Sequence, residues 1–292
     1  MRKFIDLHTH STESDGSCTP AELVKLALEK GLSAIAITDH ETYSGVQEAI
    51  DTAYGTELEV IPGTELSTCC KVSDDFSAKI HIVGLFIDIN NKALRDKTEE
   101  YKGYRIKRNY YTIDTLASEG IDISMEILRE KYGSDAITRA HVAQYLLEKG
   151  YINSTDEAYT DKYIGDNSKA YKKREYMDAV EAVQLITGAG GIAVFAHPLI
   201  YDFSEEQLQG IIDTLKPHGL MAIESEYSTF TSAQIEYVKK LALKNDLLLS
   251  GGSDFHGTLK PDIDLGTGHG NLEIPYEYMT DMKNYCKLRD TK

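Results

Sequence analysis

No tryptophan occurs in these 292 residues, and there are only six prolines and four cysteines. Cys18, Cys69, Cys70 and Cys286 form no CxxC pair. A thiolate zinc site and a dense disulfide framework are therefore not expected, and a reduced, cytoplasmic setting is. Long apolar runs are also missing. None approaches the roughly 20 residues that cross a bilayer, and "MRK" leads directly into a predicted strand without a secretory pattern. No membrane partner is expected. Positive charge is scarce as well, with 31 Lys and Arg against 47 Asp and Glu, a formal net charge of −16. That balance argues against wrapping long duplex DNA, which needs clustered cations. It leaves small phosphorylated ligands open, because bound divalent cations reverse a local negative potential.

What is present is an ordinary globular composition, 41% hydrophobic and 27% charged, long enough for one large domain or two modest ones. Strand and helix alternate over the first hundred residues. "KFIDL" reads as a strand, followed by the helix "TPAELVKLALEKG" with Thr19 and Glu22 as a capping box, Pro20 in its first turn and Gly31 at its end. The strands "SAIAIT", "LEVIPG" and "KIHIVGLFI" follow, with a helix over "SGVQEAIDTAYG". Continuous apolar runs such as "AIAIT" suit a parallel sheet covered on both faces. From about residue 91 the pattern turns helical, tyrosine-rich and locally basic, with "KGYRIKRNYY" and "KAYKKREY" and no strand before residue 192. Helices are predicted over 91–120, "SMEILREKYG", "TRAHVAQYLLEKG" and "STDEAYTDKYIG". Alternation then resumes through the strands "IAVFA", "MAIES" and "LLLSGG" to a helical tail. About seven mostly parallel strands predict an α/β fold of the (β/α) barrel type, interrupted by one helical insertion. The expected organisation is a first barrel part over 1–95, a helical cap over 96–184 and a second barrel part over 185–292.

Polar residues with metal-binding chemistry fall where strands end. His8 and His10 end the first strand and Asp15 lies in the loop after it. His40 follows the second strand in "TDH", Glu65 the third in "PGTE", and His81 lies within the fourth. His197 follows the fifth in "AHP", and Asp254 and His256 follow the last in "GGSDFHG". In α/β barrels those ends converge on one face. Residues i and i+2 of a strand point to one side, so both imidazoles of His-x-His reach one cation. Six histidines and three carboxylates are nitrogen and oxygen donors, suited to Zn, Mn or Fe. With one carboxylate bridging, they can hold two or three divalent ions. His218 and His269 sit in loops and carry no assignment.

"DLHTHSTESDG", "ITDH", "IPGTE", "HIVG", "FAHP" and "SDFHG", in that order, resemble the PHP family (polymerase and histidinol phosphatase domain). The motifs span residues 1 to about 90 and 185 to 270. The resemblance implies a distorted (β/α)7 barrel and a metal-dependent phosphoesterase. The helical segment before "AHP" resembles the branch acting on nucleoside 3′,5′-bisphosphates and short 5′-phosphorylated oligonucleotides. It implies one metal on His8, His10, Glu65 and Asp254; a second bridged by Glu65 and completed by His81 and His197; and a third on Asp15, His40 and His256. Asp15 stands where many relatives carry histidine or glutamine. "ITRAHVAQYL" resembles the segment that gives that branch a phosphate-binding arginine and histidine, here Arg139 and His141. A structural alternative pairs Arg139 with Asp135 and packs His141. Lys172, Lys173 or Arg174 could meet a second phosphate, or a solvated face.

The mechanism this implies is attack by hydroxide generated at the metals, held by Glu65, Asp254 and His197, on a phosphomonoester. Rival readings remain at this point. Histidinol phosphate hydrolysis uses the same ligand set, but the basic insertion favours a larger, more anionic substrate. An amidohydrolase also begins with His-x-His, yet commonly bridges its metals by a carbamylated lysine where this chain has Glu65. A non-catalytic polymerase module belongs to much longer chains and need not keep the ligand set that is retained in full here.

Overall fold

Thr19 Oγ1 accepts from the Glu22 amide at 3.2 Å, while Glu22 Oε2 accepts from the Thr19 amide at 2.8 Å. The predicted capping box thus closes the start of the first helix. The structure, a computed structural model, describes residues 3–133 and 137–290. Its elements run β1 (Ile5–Thr9), α1 (Pro20–Glu29), β2 (Ala34–Ile37), α2 (Val46–Ala53), β3 (Glu59–Lys71) and β4 (Ser77–Leu85). The helices α3 (Lys92–Ser118), α4 (Met125–Tyr132), α5 (Arg139–Glu148) and α6 (Thr155–Ala158) follow. Then come β5 (Met177–Asp178), α7 (Ala179–Gly188), β6 (Ile192–Phe195), α8 (Glu205–Leu215), β7 (Leu220–Tyr227), α9 (Ser232–Lys244), β8 (Leu248–Gly252) and α10 (Tyr276–Asp290).

Seven strands follow the order β1-β2-β3-β4-β6-β7-β8, while β5 pairs with β3 off that path. All neighbours on the path are parallel except β4, which runs antiparallel to both β3 and β6. The sheet curls until its edges meet. The Asp254 amide donates to the His8 carbonyl at 2.9 Å, and the His10 amide to the Phe255 carbonyl at 3.0 Å. Gly252 permits this closure, since a Cβ there would lie 2.2 Å from the His8 Cβ. The result is the expected barrel, distorted by its one reversed strand.

Both faces of the sheet are buried, which explains the continuous apolar runs. Ile5, Leu7, Ala36, Val83, Val194 and Ala222 form one cluster, with Met279 and Met282 from α10. Ile80, Ile82, Phe195 and Ile223 face the opposite way, against Val183 and Ile186 of α7 and Ile211 and Leu215 of α8. Helices α3 to α6 build a separate apolar cluster around Leu116, Leu128, Val142, Tyr145 and Leu146.

Three expectations are corrected. Glu65 lies inside β3 rather than after it, because β3 continues to Lys71 as the partner of β4, with Glu65 opposite Val83. A strand does precede residue 192: Met177–Asp178 pairs with Thr68 and Cys69, too short to leave a periodic signal. The helix expected over "STDEAYTDKYIG" is only Thr155–Ala158. Beyond it Thr160 accepts backbone bonds from Tyr163 and Gly165 in successive turns. All four cysteines are free. Among the described residues no helix is long and apolar enough to cross a membrane.

Candidate metal centre

The pleat of β1 turns His8 and the following His10 to one side, with ring centroids 5.3 Å apart. Curling of the sheet brings the other strand ends to them. Glu65, projecting from mid-β3, is the hub. Its Oε1 lies 2.8 Å from His81 Nδ1, 3.0 Å from His197 Nε2 and 3.4 Å from His8 Nε2. Its Oε2 lies 3.0 Å from His40 Nδ1 and 3.4 Å from His10 Nε2. Asp254 Oδ1 is 3.2 Å from His10 Nε2 and 3.7 Å from His8 Nε2. Asp15 Oδ1 is 3.4 Å from His256 Nε2 and 3.9 Å from His40 Nε2. All nine residues singled out in the sequence therefore meet.

Their donor atoms form four groups able to hold a cation, each with its atoms within 4.8 Å of one another: His10, Asp15, His40 and His256; His8, Glu65 and His197; His8, His10 and Asp254; His40, Glu65 and His81. His8, His10, His40 and Glu65 each belong to two groups, so the four form one continuous centre. Two features test whether metals fit it. The donors are all imidazole nitrogen and carboxylate oxygen, the set that divalent transition metals prefer. Five buried atoms of these nine residues have no hydrogen-bond partner among the described residues: His8 Nε2, His10 Nε2, Asp15 Oδ1, His40 Nδ1 and His197 Nδ1. Orphaned polar atoms of this density are rare in a folded interior unless something binds them. The residues fit.

Electrostatics keep the carboxylates available as ligands. Burial would raise the Glu65 carboxyl, but His81, His40 and His8 hold it well below its ordinary range. Asp254 is likewise held low against burial, by Lys260 and His256. Two candidate ligands occupy strained backbone: His197 at φ 31° and Asp254 at φ 57°. Such left-handed conformations persist only where surroundings fix them. The Asp254 amide is fixed by the His8 carbonyl. The His197 amide is fixed by Glu224 Oε2 at 2.7 Å.

Glu224 was not legible in the sequence, where "MAIES" reads only as a strand end. It is buried, and while Oε2 holds the His197 backbone, Oε1 lies 3.0 Å from His8 Nδ1. One carboxylate thus orients two candidate ligands, and outer partners of this kind usually carry 10–100-fold of metal affinity. Glu224→Gln is expected to retain ~10–100-fold less metal at equilibrium, read by elemental analysis after dialysis against graded chelator. Unchanged metal content would exclude this role. Tyr227 and Lys260 also escape sequence reasoning: both reach Asp254 Oδ2, at 2.7 and 2.6 Å.

A cavity of about 330 Å³ opens onto the centre, bordered by Asp15 and His81 and by Lys79, Arg105, Arg108, Arg139 and Arg174. Arg139 begins α5, half-exposed, with Nη1 3.5 Å from Asp166 Oδ1 and its guanidinium over the Tyr159 ring. Its alternative partner Asp135 lies outside the described residues. His141 is buried, its Nδ1 accepting from the Thr138 amide at 3.0 Å as the helix cap. Burial pushes its pKa down to about 4, against the opposing charge of Asp15. Arg174 is largely buried and bonds Glu41 Oε1 at 2.6 Å, while Lys172 and Lys173 are exposed. His218 and His269 are exposed, away from the cluster's donor groups. Arg105 and Arg108, three apart in "KGYRIKRNYY" and so on one face of α3, were visible only as local basic charge.

A curled α/β barrel carrying buried imidazoles and carboxylates at its strand ends, under a basic cavity, defines a metal-dependent hydrolase of anionic substrates. Residues 6–216 match the PHP domain, and the chain belongs to that family. It is similar to a 5′-3′ exoribonuclease of Haemophilus influenzae, at 34% identity over 88% of this chain and 91% of that one. A 3′,5′-nucleoside bisphosphate phosphatase of Chromobacterium violaceum is 30% identical over 90% of each chain. A solved structure from the latter organism, described as an amidohydrolase with bound sulfate and no metal, superposes with a TM-score of 0.82 at 27% identity, covering 96% of both chains. The protein is a metal-dependent phosphoesterase of the PHP family.

Proposed function

We propose that this chain removes the 3′-phosphate of nucleoside 3′,5′-bisphosphates, with short 5′-phosphorylated oligonucleotides as longer substrates of the same site. The observation that carries the reading is the arginine-lined cavity opening directly on the candidate metal centre. In both substrates the bond broken is that between phosphorus and O3′, and both carry a further phosphate at the 5′ end. With a bisphosphate, water and substrate give a nucleoside 5′-phosphate and inorganic phosphate.

His8, His10, Asp15, His40, Glu65, His81, His197, Asp254 and His256 are the proposed ligands of two or three divalent ions, manganese, zinc or iron. When bound, these ions supply hydroxide at neutral pH and neutralise charge on the phosphoryl oxygens. Glu65, Asp254 and His197 hold the reacting group at the floor of the site. Arg139 grips phosphate oxygens through its planar fork, and His141 is the second proposed phosphate-binding residue, within range of the charges of Asp15 and His256. The exoribonuclease and bisphosphate phosphatase relatives support this substrate class. The basic cavity favours it over histidinol phosphate, which carries a single phosphate and a cationic amine. A reducing, cytoplasmic compartment agrees with the four free cysteines.

The deciding measurement is phosphate release by metal-reconstituted protein from adenosine 3′,5′-bisphosphate, histidinol phosphate and 5′-AMP, with mononucleotide release from a short 5′-phosphorylated RNA. Adenosine 3′,5′-bisphosphate is expected to outpace histidinol phosphate by kcat/KM. The reverse order would overturn the assignment.

A further inference from the structure

Most cations of the cavity already have partners. Arg105 and Arg174 both bond Glu41. Arg139 meets Asp166, and the Lys79 ammonium lies 5.5 Å from the Tyr176 ring centroid, within the roughly 6 Å over which a ring face attracts a cation. Arg108 is different. It is 7% exposed, yet among the described residues its guanidinium meets no carboxylate. Its Nε and Nη2 donate to the neutral Asn109 Oδ1, at 3.1 and 2.8 Å. Asn109 is itself oriented, its Nδ2 donating to the Ile137 carbonyl. Nη1 makes no hydrogen bond among the described residues. Burial, together with Arg105, Arg174 and Arg139, pushes the Arg108 pKa down to about 9. A cation held close to three others costs free energy that the Asn109 oxygen and the unbonded charge of Glu41 offset only in part, since the pKa stays depressed.

Its place gives that cost a use. Arg108 borders the cavity that reaches Asp15 and His81, and also a second cavity of about 220 Å³ lined by Arg139, Lys172 and Arg174. Arg108 thus joins the cavity that reaches the centre to one that none of the candidate metal ligands lines. We infer that Arg108 is the binding group for the substrate's non-scissile phosphate, so that the enzyme selects substrates carrying two phosphates. This rests on the phosphoesterase reading of the centre and adds to it a specificity residue. The Asn109 contact aims the fork, and the dianionic phosphate supplies the acceptor and the charge that the protein withholds.

The test compares wild type with Arg108→Gln and Arg108→Lys, all reconstituted with the same metal. For adenosine 3′,5′-bisphosphate, kcat/KM is expected to fall about 100-fold in Arg108→Gln, with partial recovery in Arg108→Lys. For 3′-AMP, which lacks the second phosphate, the three proteins are expected to agree within about threefold, because only binding of that phosphate is lost. Calorimetric titration with 5′-AMP is expected to show at least tenfold weaker binding to Arg108→Gln, with adenosine binding unchanged. Melting temperature should hold or rise in Arg108→Gln, since a buried uncompensated charge is removed. Equal losses on both nucleotides, or a lower melting temperature with both activities reduced, would overturn the inference and assign Arg108 a structural role. If wild type released no phosphate from the bisphosphate, the substrate reading would fall. Arg108-dependent binding of 5′-AMP would still establish the anion site in that case, and its absence would remove both.

Discussion

Glu65→Gln is expected to lose phosphate release by about 10³-fold or more, the scale on which removing a central charge-stabilising group acts. The substitution keeps the side chain's shape and removes its charge. Five histidines approach the two carboxylate oxygens of Glu65, at 2.8 to 3.4 Å. A carboxylate can serve two cations at once through its two oxygens, whereas an amide offers one weaker acceptor. The variant is therefore expected to hold fewer metal ions per chain as well as to lose turnover. Because Glu65 sits in the interior of β3, opposite Val83 of β4, with its amide donating to the Asp39 carbonyl and its carbonyl accepting from the Glu41 amide, backbone bonds that the substitution leaves intact, far-ultraviolet circular dichroism should be unchanged. Phosphate release above a tenth of wild type, at matched metal content, would refute Glu65 as the bridging ligand.

Glu41→Ala is expected to cost about 3–5 kcal/mol, because it leaves buried cations without their counter-charge. Glu41 follows His40 and is held at φ 49°. Its Oε2 takes Arg105 through Nε at 2.6 Å and through Nη2, and its Oε1 takes Arg174 at 2.6 Å and the Ser67 amide at 3.1 Å. Burial would raise this carboxyl, but Arg105 and Arg174 hold it well below the usual range. Arg105 comes from α3 and Arg174 from the segment before β5, so one barrel carboxylate ties two parts of the helical region to the strand ends. Without it, Arg105, Arg108 and Arg174 repel one another beside the cavity. For a chain of this size the melting temperature is expected to fall by roughly 10 °C. Glu41→Gln, which retains an acceptor, should fall less. A drop under about 2 °C for the alanine variant would show that the clamp contributes little.

The candidate ligand positions were legible because metal chemistry leaves a strong mark on sequence. His-x-His at the end of an apolar run has few uses, and the pleat of β1 makes the two rings neighbours whatever the rest of the chain does. Asp15, His40, His197, Asp254 and His256 were legible for a related reason: in a barrel, a polar residue just past an apolar strand lies on a known face. Glu65 was expected just past the third strand and His81 within the fourth, and both lie inside the β3–β4 hairpin, because β3 runs on to Lys71 as the partner of β4. The two-residue β5 and the short α6 left no period to read. In the helical region sequence reasoning marked basic charge without ranking it. Lys173 is exposed, whereas the adjacent Arg174 is largely buried against Glu41.

The sequence by itself determined the alternation of strands and helices, the donor set and its nitrogen and oxygen chemistry. These depend on local periodicity and on residue type. Only the tertiary structure decided that β4 runs against its neighbours, that Glu224 orients both His8 and His197, and that Glu41 bonds Arg105 and Arg174 but not Arg108. Those facts rest on which side chains meet across the fold, where burial turns each unpaired charge into a cost that a neighbour or a ligand must offset.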